Sequence, residues 1–116
     1  MLRIALIAFA LTALTPVASG ADDSVVDMTA SADTFTFSPD KIVAHVGQLE
    51  TIDVKSIAGE HGIGSAELGI DTQLIRPNRT TTVSFTPAKA GTYVVHCAYV
   101  CGIGHAGMAF SVDVEP

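Results

Sequence analysis

Residues 97–108 read Cys-Ala-Tyr-Val-Cys-Gly-Ile-Gly-His-Ala-Gly-Met, so two thiols, an imidazole and a thioether fall within one short stretch. The chain has two cysteines in all, and both stand here. Thiolate, thioether and imidazole are soft or borderline donors, a set that selects copper over the hard cations. A disulfide between Cys97 and Cys101 is the competing chemistry, and an oxidising compartment favours it. The His105 and Met108 that follow shift the reading to a metal loop.

The loop needs a further donor from elsewhere in the chain. His61 is the best placed, in a stretch punctuated by Gly59, Gly62 and Gly64. His96 adjoins Cys97, and in a strand neighbouring side chains point to opposite faces, which takes it away from the sulfur. His45, between Ala44 and Val46, reads as a surface histidine, and Met28 as core packing. One cysteine, two histidines and a weak methionine make a mononuclear blue-copper site, and this loop has one thiolate more than that. Two thiolates so spaced can bridge a pair of copper ions. Each ion then takes both sulfurs and one imidazole, from His61 or His105. Met108 supplies one axial ligand and a backbone carbonyl between the cysteines, at Tyr99, supplies the other. Such a pair passes a single electron with little change of shape and leaves no open position for a substrate.

Short strands with turns between them must position these groups. Period-two alternation or apolar runs mark strands at 24–30, 34–37, 42–46, 49–54, 80–85, 92–96 and 109–114. Ser38-Pro39-Asp40, Gly47 and residues 87–91 supply the breaks. Short helical turns are expected within 56–71, where the pattern is least readable. The sum is an all-β chain, an antiparallel β-sandwich, with the loop joining its last two strands.

The first residues read as a leader. Met1-Leu2-Arg3 opens with a positive charge, 4–14 is an apolar run, and Ala18-Ser19-Gly20 offers small residues for cleavage before Ala21. The run is short of the ~20 residues that span a bilayer. The expected organisation is a signal peptide at 1–20 and one domain at 21–116, exported to the periplasm with no stable membrane span. About a hundred residues suffice for a single core. The formal net charge of −6 excludes nucleic acid as a natural partner, since phosphate binding needs a basic face. An acidic surface suits a basic protein partner. Asn78-Arg79-Thr80 fits a glycosylation triplet but has no role in a bacterial export product. No catalytic triad, paired carboxylates or phosphate loop presents itself, and Asp53 and Glu60 read as solvated charges.

The chain resembles the dinuclear CuA copper domain of cytochrome c oxidase subunit II and of nitrous-oxide reductase. The family pattern is a histidine, a gap of roughly thirty to forty residues, then C-x3-C-x3-H-x2-M, and His61, Cys97, Cys101, His105 and Met108 fill its slots. Leu68-Gly69-Ile70, Pro87-Ala88, Gly91-Thr92-Tyr93, Cys101-Gly102 and Gly104-His105 are also similar to subunit II. Thr36-Phe37-Ser38-Pro39 with Ile42 and Gly47 resembles cupredoxins at large. The resemblance implies a Greek-key cupredoxin sandwich with two copper ions held by His61, Cys97, Cys101, His105, Met108 and the Tyr99 carbonyl.

Departures are informative too. A leader stands in place of subunit II's transmembrane hairpin. Tyr99 replaces the family's glutamate and Gly59 its valine, and the chain has no tryptophan. The reading is of an electron carrier or oxidase-associated domain rather than a catalyst in its own right. Its partners are a c-type cytochrome or terminal oxidase, with a copper chaperone or thiol reductase for loading. The alternatives are a periplasmic copper storage or delivery protein and a mononuclear copper redox protein.

Overall fold

The computed structural model describes residues 24–99 and 102–116. Nine strands are described: β1 (Ser24–Ser31), β2 (Thr36–Ser38), β3 (Lys41–His45), β4 (Glu50–Ala58), β5 (His61–Ser65), β6 (Ile70–Ile75), β7 (Thr80–Phe85), β8 (Gly91–His96) and β9 (Ala109–Glu115). A 3-10 turn, His105–Gly107, precedes β9. The strands form a four-stranded sheet in the order β2-β1-β4-β7, a three-stranded sheet β3-β9-β8 and a hairpin β5-β6.

Alternation places the core. In β4, Ile52, Val54 and Ser56 turn inward, and in β9 Phe110, Val112 and Val114 do. Met28, Ala30, Phe37, Ile42, Ala44, Val83, Phe85 and Val95 complete the packing between the sheets. Each large apolar side chain so buried contributes on the order of 1.5–3 kcal/mol. The rings of Phe37 and Phe110 meet edge to face, with centroids 5.2 Å apart. On the outside, Lys41 Nζ bonds Asp113 Oδ2 at 2.9 Å across β3 and β9. That hydrogen bond holds the Asp113 carboxyl below its ordinary range.

The β-sandwich matches the expected class, with mixed rather than wholly antiparallel pairing. β1 runs parallel to β4 and β3 parallel to β9. Period two tells which face a residue occupies, not which way its neighbour strand runs. The helical turns expected within 56–71 are absent: 61–65 and 70–75 pair as an antiparallel hairpin. Gly62 and Gly64 masked that alternation because they carry no side chain to display it. Residues 34–37 do not make one strand either. β2 starts at Thr36, and Phe35 sits in the preceding turn at φ 51°. Among the described residues no helix is long and apolar enough to cross a membrane. The leader expected at 1–20 lies outside the described residues.

Candidate metal centre

Strand pairing brings the two donor segments together. β8 and β9 pair up to His96 opposite Ala109. One step further, the Cys97 N–H donates to the Met108 carbonyl at 2.9 Å, which pinches the loop shut at its base. On the other side Cys97 bridges Ile63 of β5, and the Ala98 N–H donates to the Gly62 carbonyl at 2.9 Å. The start of β5, where His61 stands, is thereby fastened to the start of the loop.

His61 is fully buried, and each of its ring nitrogens has an assigned task. Nε2 lies 2.7 Å from the Ala58 carbonyl oxygen. A carbonyl only accepts, so Nε2 carries a proton there, and Nδ1 is the ring nitrogen left to face another group. Nδ1 lies 3.9 Å from Cys97 Sγ. The distal N–H tied to a backbone carbonyl is how metal-ligating histidines are held in one tautomer and orientation. The edge of Phe37 meets the His61 ring, with centroids 6.3 Å apart, and fixes its tilt.

Cys97 is buried, and its Sγ also lies 3.1 Å from the Tyr99 carbonyl oxygen, which accepts the thiol proton. Cys97 Sγ thus lies between His61 Nδ1 and the Tyr99 carbonyl oxygen as a neighbour of both. Met108 is fully buried at the foot of the loop. His105 opens the 3-10 turn, its N–H bonded to the Gly102 carbonyl at 3.2 Å and its carbonyl to the Met108 N–H at 3.1 Å. It is half-buried, with Ile103 and Ala106 exposed on either side. Cys101 lies outside the described residues, and among those described no three His, Cys, Asp or Glu side chains gather as a metal-holding group.

The donor chemistry present fits copper. An imidazole nitrogen faces a cysteine sulfur in a buried setting, and imidazole and sulfur are donors that suit copper. His96 is exposed and His45 sits partly exposed against Glu115, with Nε2 3.3 Å from Oε2, so neither reaches the loop. Sequence reasoning missed Ala58, whose contribution is a carbonyl that every residue has. It also missed the link from Phe37 to His61, which no periodicity encodes.

Comparison with known proteins agrees with the fold. The family model of the cupredoxin-like domain matches residues 3–105. No curated protein matches the chain. Among solved structures, the periplasmic domain of cytochrome oxidase subunit II (CoxB) of Bradyrhizobium japonicum superposes with a TM-score of 0.68 at 17% identity, over 78% of this chain and 83% of that one. Auracyanin from the photosynthetic bacterium Roseiflexus castenholzii gives 0.65 at 19%, over 81% and 99%. The mixed disulfide between a thioredoxin-like TlpA and subunit II of cytochrome c oxidase gives 0.63 at 16%, over 78% and 80%. At such identities the likeness is one of fold.

Proposed function

The chain belongs to the cupredoxin-like domain family, and from that premise we propose that it is a copper-binding electron-transfer protein with a dinuclear CuA-type centre. The observation that supports the reading is buried His61, its Nε2 tied to the Ala58 carbonyl and its Nδ1 turned toward Cys97 Sγ. In this reading His61, Cys97, Cys101, His105, Met108 and the Tyr99 carbonyl would hold the copper. When bound, the copper pair supplies a one-electron redox centre. His61 arrives pre-oriented, so little has to move on loading. His61 is itself fully buried, with the buried Phe37 ring against it, which keeps water away.

The same reading makes the protein periplasmic, residues 1–20 its cleaved leader and 21–116 the domain. A c-type cytochrome or a terminal oxidase is its redox partner. Two cysteines in an oxidising compartment drift to a disulfide, and only the thiolates hold copper. Loading therefore calls for a thiol reductase or a copper chaperone. The mixed disulfide formed by a fold neighbour, oxidase subunit II, with a thioredoxin-like protein supports the first of these.

Copper content tests the proposal. Reduced protein titrated with copper should take up two ions, turn purple, and give an electron-spin hyperfine pattern richer than one nucleus produces. One tightly held copper with a single-nucleus pattern would make it a mononuclear redox protein. Ready loss of copper to a chelator would favour storage or delivery.

A further inference from the structure

The turn at residues 32–35, between β1 and β2, touches both donor segments, and nothing in the ligand set explains it. At one end the Ala32 N–H donates to the Ala58 carbonyl at 2.8 Å, the same oxygen that receives His61 Nε2–H. At the other end Phe35 lies against the metal loop. A β-carbon built on Gly104 would fall 2.2 Å from Phe35 Cγ, and one on Gly102 would fall 3.0 Å from Phe35 Cε1.

Two further observations make this contact a built one. Gly104 has φ −84° and ψ 4°, a conformation open to any residue. Glycine is therefore demanded there by the Phe35 ring and not by the backbone. Phe35 itself has φ 51°, a left-handed conformation that a bulky side chain rarely adopts. Its ring is half-buried against the core. The chain accepts an unfavourable backbone to lay an aromatic face on the residue next to His105.

We propose that Phe35 is a positioning residue that clamps the His105-bearing loop, and that the 32–35 turn thereby fixes this loop relative to His61. The proposal rests on the metal-centre reading for its consequence and on the packing alone for its mechanism. The Gly104 carbonyl accepts the Gly107 N–H at 3.1 Å. A ring pressed on Gly104 therefore holds the 3-10 turn at the residue that caps its start. Without the ring, that turn frays and His105 no longer has one fixed place.

The experiment compares Phe35→Ala, Phe35→Gly, Phe35→Leu, Gly104→Ala and the double variant Phe35→Ala/Gly104→Ala. In metal-free protein, Phe35→Ala and Phe35→Gly should both speed amide exchange at residues 105–108 about tenfold or more, leaving β4 and β7 unchanged. Phe35→Gly should melt higher than Phe35→Ala, because it relieves the left-handed backbone. Equal loop exchange in the two separates the clamp from the strain. Phe35→Leu should fall between wild type and Phe35→Ala. Gly104→Ala should loosen the loop in the wild-type background and add little to Phe35→Ala, a non-additivity that marks direct contact. In copper-loaded protein, Phe35→Ala should release metal to a chelator about tenfold faster and alter the electron-spin pattern.

Additive effects of Phe35→Ala and Gly104→Ala, or exchange at 105–108 unmoved by Phe35→Ala, would overturn the clamp. If wild type fails to take up two coppers while the exchange results hold, the clamp stands and the dinuclear reading fails.

Discussion

His61 acts through two nitrogens that face different partners, and this sets what each substitution does. Nε2 is committed to the Ala58 carbonyl, so only Nδ1 can turn to a metal. His61→Ala removes the donor and empties a fully buried site. It should abolish the dinuclear spectrum and destabilise the fold by ~2–4 kcal/mol, the range for large buried side chains cut to alanine. His96→Ala, at an exposed position, should change neither. Cys97→Ser should destroy the spectrum of the proposed centre, since a hydroxyl is a harder and weaker donor to copper than a thiolate. Met108→Leu conserves volume at a buried position, so on the proposed ligand set it should keep the spectrum and shift the potential, since a thioether would be the weak donor there. Titration with copper and cyclic voltammetry read all four. Loss of the site in His96→Ala with survival in His61→Ala would reverse the ligand assignment. At this scale the sequence names candidates, of which Cys101 lies outside the described residues. Softness and spacing singled out His61, Cys97, Tyr99, Cys101, His105 and Met108, and alternation set His96 apart. What orients His61 was not legible, because it comes from a backbone carbonyl brought near by the fold.

The turn between β4 and β5 is the element on which His61 depends. β4 ends at Ala58, Gly59 turns the chain at φ 78°, and β5 starts at His61. The buried Ser56 hydroxyl donates to the Gly59 carbonyl and so braces the turn. A β-carbon on Gly59 would meet the Ala32 β-carbon at 2.7 Å, in a conformation that L-residues rarely adopt. Gly59→Ala therefore carries both strain and a clash. It should cost about 1–3 kcal/mol and weaken copper retention, because it displaces the carbonyl next to the one His61 needs. Denaturant unfolding read beside chelator competition checks both. A stable variant that lost copper would still place the turn's role at the site, whereas unchanged values in both assays would remove the turn from the account. Strands β7, β8 and β9 were legible, because clean alternation with Gly and Pro breaks is enough for a half-buried strand. The β5–β6 hairpin was not, since glycine can be buried on either face and shows no alternation. Nor was the break at Phe35, whose place in Thr-Phe-Thr-Phe fits a strand well. Tertiary contact with the metal loop overrode that local pattern.

The whole molecule is acidic, with a formal net charge of −6, yet residues 97–108 contain neither Asp nor Glu. Apolar and small groups face outward on this loop instead. Ile103 is fully exposed, Tyr99 is 45% exposed, and Ala106 and Gly107 lie open beside His105. A partner can therefore come close to His105 on an apolar surface while the charge of the molecule acts from farther away. The two features separate experimentally. Net charge governs the encounter with a basic carrier, so the bimolecular rate should fall as salt rises. If a partner docks on the patch as the shuttle role requires, Ala106→Glu should slow transfer at every salt concentration and leave the copper spectrum intact. Stopped-flow reduction by a basic c-type cytochrome, across a salt series, reads both. A neutral or acidic cytochrome should lose the salt dependence and keep the sensitivity to Ala106→Glu. Rates insensitive to salt and to Ala106→Glu, with every cytochrome tried, would take away the shuttle role. The buried donors would then belong to a protein that carries copper, for which an open apolar face beside His105 serves transfer of the metal to its acceptor.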